Sequence, residues 1–233
     1  MRIVARNVEE AEAINHALSL GSVLGQGACL IALFTGNFAA ARRYGTMLLT
    51  HSERHGLGLW HGWARCFDGL LTARQGDLAA GLQIMRAEID RAGDARSLPR
   101  YLVLLGEFAA CLGDFGEIAG ALAALDDLLA RCERAEERWY LPELLRMKGE
   151  RILRSDVVDS VSVSERHFVE ALHLAKQHGA LSWALRAATS LARLRFAERR
   201  MAEGRELVLE HYGQFSEGLA TADLQIAQQF LSQ

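Results

Sequence analysis

The chain has 233 residues, half of them apolar and 24% charged, which suits a globular domain or a one-dimensional array of small units. A formal net charge of −3 argues against a nucleic-acid or other polyanion-binding surface. Cys29, Cys66, Cys111 and Cys132 form no CxxC pair and sit among apolar helical neighbours, which implies buried reduced thiols and a cytoplasmic setting.

Ala, Leu, Arg and Glu dominate, runs of β-branched residues are missing, and Pro99 and Pro142 are the only prolines, so intrinsic preference is helical nearly throughout. Residues 1–10 lack the apolar core of a signal peptide, and the longest apolar stretches fall short of the roughly 20 residues of a membrane span. In chain order, 8–18 is expected to be the second helix of an incomplete hairpin occupying 1–20, with Gly21 ending it. Helix pairs follow at 22–34 with 38–54, 58–74 with 77–91, 98–112 with 115–133, 138–154 with 164–178, and 181–197 with 201–214. The fourth pair has a longer linker, Ser155–Ser162, and Ser162 with Glu165 offers a capping box for the helix after it. A last helix is expected over 220–231, capped by Thr221, with Asp223 in the first turn where the helix dipole favours a negative charge. The apolar-rich helices at 22–214 thus form five hairpins, and 1–233 reads as a single domain.

One punctuation mark recurs. Gly36-Asn37-Phe38, Gly76-Asp77-Leu78 and Gly113-Asp114-Phe115 each place a helix-ending glycine before a capping Asx and an apolar residue that returns to the core. At the third site Asp114 and Glu117 also match a capping box. A small residue lies seven positions before each glycine (Cys29, Gly69, Gly106), and the spacing continues at Gly149 and Ala192, with turns near Asp156 and Arg199. These positions fall 40, 37, 43 and 43 apart, a solenoid signature. A second small residue follows each turn, at Ala41, Gly81 and Gly204, where it lets the partner helix approach. The expected fold is therefore all-α, an α-α superhelix of stacked helical hairpins.

The spacing and the Gly-Asx-apolar turn resemble tetratricopeptide repeats, although the period exceeds the common length of about 34, the repeat-ending proline is missing, and Ile118 takes a normally small position. A closer resemblance runs through 39–44 and His51-Ser52-Glu53-Arg54-His55, then 59–81, then Glu136 to Glu150, and most specifically from Gly179 through Ser182-Trp183 and 185–194 to 215–224. Together these resemble the C-terminal helical region of large bacterial signalling proteins, in which a winged-helix or nucleotide-cyclase domain precedes a signal-transduction NTPase domain. No residues match those upstream domains. The resemblance implies a sensor or scaffold portion of a transcriptional or signalling regulator, and the half-hairpin at the start favours excision from a longer chain. Its partners would be a protein or peptide, including other domains of the same regulator, without direct nucleic-acid or membrane contact.

No phosphate-binding loop is present: Gly21, Gly25 and Gly27 lack the lysine and the preceding strand. His51 and His55 share a helix face around Glu53, but the order is H-x-E-x-H rather than H-E-x-x-H, and a third ligand is not evident. His167, His173 and His178 read as surface histidines. No nucleophile elbow or paired-carboxylate motif organises the Ser, His and acidic residues. No catalytic residue, cofactor or metal is therefore expected. Counting from the small residues and the turns, the first helices aim Gln26, Trp63, Arg74, Arg100, Glu107, Glu143, Arg146, Glu150, Arg186 and Arg193 inward, onto a concave partner-binding face. Arg100, Arg146, Arg186 and Arg193 could clamp an anion, or they could pair with Glu107, Glu143 and Glu150 in a solvated network. Trp60, Trp139 and Trp183, near helix starts, would staple adjacent repeats. The alternative function is a small-molecule sensor with an apolar wall at Leu30, Leu33 and Phe34.

Overall fold

The computed structural model describes residues 1–98 and 100–232. Among the described residues the regular elements are all helical. They are α1 (Arg2–Ile14), α2 (Ala17–Ser22), a π-helical segment (Val23–Cys29), α3 (Leu30–Phe34), α4 (Phe38–His55), α5 (Gly58–Arg74), α6 (Leu78–Arg91), a 3₁₀ segment (Gly93–Ser97) and α7 (Tyr101–Phe115). Then come α8 (Ile118–Ala135), α9 (Leu141–Ile152), α10 (Ser160–Gln177), α11 (Leu181–Ala197), α12 (Met201–Tyr212) and α13 (Ala222–Leu231). Neighbouring helices pack in pairs, as the repeat spacing predicts. Contacts divide the chain into two compact units, Met1–Cys111 and Leu112–Gln233, with α7 carrying the boundary.

In the first unit the α5–α6 hairpin shows why the small positions matter. A Cβ added to Gly69 would lie 2.9 Å from the Gly81 carbonyl oxygen, and one added to Gly81 would lie 2.5 Å from that of Gly69. The two helices meet backbone to backbone, so neither position tolerates a side chain. Cys29 and Ala41 hold the equivalent places before and within α4 and are fully buried. The turns match the punctuation. Gly36 and Gly76 have φ of 70° and 109°, and the side chains of Asn37 and Asp77 accept from the amides of Ala40 (3.0 Å) and Ala80 (3.1 Å).

Gly21 does not end a helix. It lies within the continuous helical stretch Ala17–Phe34, and the preceding break falls at Asn15, in the left-handed region with φ 52°. Gly21 and Gly25 pass under the buried Trp60 indole, whose atoms would stand 2.8 and 2.9 Å from a Cβ at each. That glycine-rich stretch is the one that widens into a π turn. Ala17–Phe34 also has the length and composition to cross a membrane, which the sequence expectation of uniformly short apolar stretches missed. Leu24, Ala28, Leu30 and Ala32 on it are nonetheless buried inside the unit, as on a core helix.

In the second unit the contact recurs in α11–α12, where a Cβ on Gly204 would meet the Ala192 carbonyl oxygen at 3.0 Å. Arg199, with φ 65°, supplies the left-handed turn that glycine supplies elsewhere. The fourth hairpin has the longer linker, so Gly149 instead receives the Phe168 ring, and the Ser164 hydroxyl donates to its carbonyl at 2.9 Å. Leu185, Val208, Leu224 and Phe230 close the C-terminal core around Ala192.

The third turn is corrected by three residues. The chain stays helical through Gly113-Asp114-Phe115, and the left-handed residue is Gly116, with φ 103°. The small position seven before it is Ala109, fully buried, rather than Gly106. Positions 29, 69, 109 and 149 then fall a uniform 40 apart. Neither expected capping box forms. Glu117 caps α8 without a side-chain bond, and α10 starts at Ser160 behind Asp159, before Ser162. Thr221 precedes α13 in an extended conformation, likewise without a side-chain cap bond.

Candidate functional site

Four of the ten predicted inward residues, Glu143, Arg146, Glu150 and Arg186, converge in the second unit. Glu143, near the start of α9, is 1% exposed. It accepts from Arg146 Nε (2.8 Å) and Nη2 (2.7 Å) one turn on, and from Arg186 Nη1 (2.7 Å) on α11. Arg146 reaches onward to Glu150 Oε1 at 2.5 Å, and the Ser190 hydroxyl donates to the same oxygen at 2.9 Å. Arg186 continues to Asp223 on α13 (Nε to Oδ2, 2.9 Å) and lies over the Trp183 ring, 5.4 Å from its centroid. Burial pushes the Glu143 carboxyl up, but Arg146 and Arg186 outweigh it and hold it below the usual glutamate range. Burial likewise opposes the charge on Arg146, while Glu143 and Glu150 raise it well above the ordinary arginine value. The predicted network therefore forms in part: Glu143 at its centre is buried, Arg146, Glu150 and Arg186 are half-buried, and Arg100, Arg193 and Glu107 lie outside it. It ties α9, α11 and α13 together, so Arg146 and Arg186 are not free to clamp an anion. Arg193 stands apart, exposed on α11.

The first unit spreads its predicted residues out. Arg74 Nη2 donates to buried Glu107 at 2.7 Å, and exposed Arg100 donates to the Gln26 carbonyl at 3.3 Å. Trp63 is fully buried, edge-on to Tyr101 with centroids 5.1 Å apart, so it is packing rather than a surface anchor. Leu30 and Leu33 are also buried, which corrects the expected apolar ligand wall. Trp60 does staple neighbouring helices, and Tyr140 stacks edge-on with Trp183 at 5.6 Å in the second unit. His167 is half-buried rather than a surface residue; burial, then Lys148, lowers its pKa.

One cavity in the first unit was not expected. It has a volume of about 420 Å³ and lies between the start of α5, the end of α6, the 3₁₀ segment and the start of α7. Its wall includes Leu59, Gly62, Glu88, Ala92, Ala95 and Tyr101. Glu88 is 6% exposed, and its Oε1 accepts from Arg91 Nη1 at 2.5 Å, with Arg65 Nε 4.0 Å away. Its Oε2 takes no hydrogen bond among the described residues, and a Cβ on Gly62 would come no closer to it than 3.8 Å. Below it, the Cys66 thiol and Tyr101 hydroxyl are 3.4 Å apart.

The remaining perturbed groups are fixed in their resting states. Burial pushes the thiols of Cys29 up to about 12 and of Cys66 and Cys132 up to about 11, and burial followed by Cys66 raises Tyr101. All four cysteines are buried and in the reduced form, as expected. His51 points to the Ala17 carbonyl (2.9 Å) and stacks on His55, and among the described residues no group of three potential ligands could hold a metal.

Sequence reasoning missed Asp223, Ser190 and Glu88. Asp223 carried a signal, since its first-turn position explained it without a partner. Glu88 carried none, because a lone Glu in Ala87-Glu88-Ile89 looks like any helix-surface acid. No family model and no curated protein matches the chain.

Proposed function

We propose that the chain is a non-catalytic, TPR-like binding scaffold or sensor portion of a transcriptional or signalling regulator, and that its partner is a protein or peptide. The observation that carries this reading is the Glu150–Arg146–Glu143–Arg186–Asp223 chain of bonds. Its charges join three helices of successive hairpins, and its perturbed pKa values move away from neutrality, where a general acid or base works best. A stack fixed in this way holds exposed side chains in a set register, which is what recognition of a partner surface needs. Exposed Arg193 on α11 and Arg100 before α7 are the predicted cations left on first-helix faces, and they favour an acidic partner segment.

Photo-crosslinking in cells tests this reading. A photoreactive residue at position 193 or 100 should give discrete protein adducts, and one at Arg166 or Arg134 on second helices should not. Matching adduct patterns at all four positions, or none at 193 and 100, would reject it.

A further inference from the structure

The cavity beside Glu88 is built in a way that packing does not explain. Gly62 lies inside α5, where glycine costs about 0.5–1 kcal/mol relative to alanine. Elsewhere on α5 that cost has a visible cause, since Gly69 meets the Gly81 backbone. At Gly62 an added Cβ would make only an ordinary contact, 3.8 Å from Glu88 Oε2, and at Gly58, one turn earlier, it would meet nothing within 4 Å. The two glycines leave open the space in front of a carboxylate whose residue is more than nine-tenths buried. A buried carboxylate normally fills its acceptor capacity, because desolvated lone pairs without donors are costly. Here Oε1 is served by Arg91, while Oε2, which is not fully enclosed, has no donor among the described residues.

We propose that this cavity binds a small organic amine with a compact apolar or aromatic body. The amine head donates to Glu88 Oε2, and the body lies along Leu59, Ala92, Ala95 and Tyr101. The volume of about 420 Å³ falls in the range of small-molecule pockets, and the wall is mostly apolar, with Glu88, Arg91 and His61 among its titratable groups. The local charges favour an amine over an acid. Arg65 is already engaged by Asp68 at 3.0 Å, and the Arg91 side chain is 69% exposed and solvated, so an entering carboxylate would meet the unshared face of Glu88. The proposal does not depend on the protein-partner reading above.

Calorimetric titration of the full chain with tryptamine, and with indole-3-acetate as the acid of similar body, tests it. Tryptamine should bind saturably at one site and indole-3-acetate should not. Gly62→Leu fills the space with a good helix former, so it should fold at least as stably and lose binding. Glu88→Gln keeps the shape and removes the charge, and it should weaken tryptamine by about tenfold or more. The proposal is overturned if tryptamine does not saturate, if indole-3-acetate binds as well, or if Glu88→Gln leaves tryptamine binding unchanged. The last criterion decides alone should Gly62→Leu fail to fold.

Discussion

Removing Glu143 is the sharpest perturbation of the second unit. Its side chain is 1% exposed and accepts three hydrogen bonds from two guanidiniums, at 2.7–2.8 Å. Glu143→Ala leaves Arg146 and Arg186 partly desolvated with their shared counter-charge gone, and breaking a buried pair from one side costs about 3–5 kcal/mol. Each arginine keeps a second carboxylate, Glu150 or Asp223, which places the loss near the lower end, about 3 kcal/mol. For a chain of this length that is a fall in Tm of about 6–12 °C. Urea denaturation followed by circular dichroism measures the free energy, and calorimetry measures the Tm. Arg193→Ala, on the same face but exposed, is the control and should change stability by no more than about 0.5 kcal/mol. A Glu143→Ala loss below about 1 kcal/mol, or one indistinguishable from the control, would show that the cluster does not tie the helices together.

Gly81→Ala should cost at least about 1–3 kcal/mol in urea melts, because its Cβ would stand 2.5 Å from the Gly69 carbonyl and 2.6 Å from Ala73; near-neutral stability would dispose of the backbone-to-backbone hairpin contact. Arg199→Gly should stabilise by up to about 1 kcal/mol in the same assay, since an arginine at φ 65° carries left-handed strain that glycine does not, and a loss would mean that its side chain matters more than its backbone. The depressed Glu143 carboxyl adds stability that is present above the usual glutamate pKa and is lost as pH falls through its lower folded value. Stability measured from pH 7 downward should therefore drop in that acid window, and Glu143→Gln, being uncharged throughout, should flatten the drop; parallel acid limbs would contradict the assignment.

The turns and hairpins were legible where glycine, a capping Asx and an apolar residue coincide with a backbone contact, as at Gly36 and Gly76. Gly113-Asp114-Phe115 carries the same letters but lies inside α7, because Asp114 is used otherwise: it accepts from Arg151 Nη1 (2.5 Å) on α9 and Arg154 Nη1 (2.9 Å) just after it. A cap motif on paper cannot reveal that a more distant arginine pair competes for the carboxylate. The charged first-helix positions of the second unit were legible as a set, since helical counting placed Glu143, Arg146, Glu150 and Arg186 on one face. Their burial was not, because it depends on how closely α11 and α13 approach. The cavity at Gly62 was illegible for a related reason: a glycine that opens space and one that permits contact look the same in a sequence.

The polar contacts carry the repeat as clearly as the small residues do. In the first unit, Arg42 bonds Gln75 and Arg74 bonds Glu107, each across 33 positions, and Cys66 meets Tyr101 across 35. In the second, Asp114–Arg151 and Arg186–Asp223 span 37, Lys176–Glu210 spans 34, Glu165–Arg200 spans 35 and Glu143–Arg186 spans 43. Each of these separations is close to one repeat, so these side chains reach the adjacent hairpin, while Arg100 to Gln26, across 74 positions, is an exception. Stability in such an array is a sum of hairpin and nearest-neighbour contributions, and a lesion in one contact should stay local. Hydrogen exchange on Glu143→Ala tests this: amides of α9, α11 and α13 should exchange faster while those of α5 and α6 keep their wild-type rates. Uniform acceleration across α5 to α13 would mean that the chain opens as one cooperative block, and nearest-neighbour coupling would then be the wrong description of it.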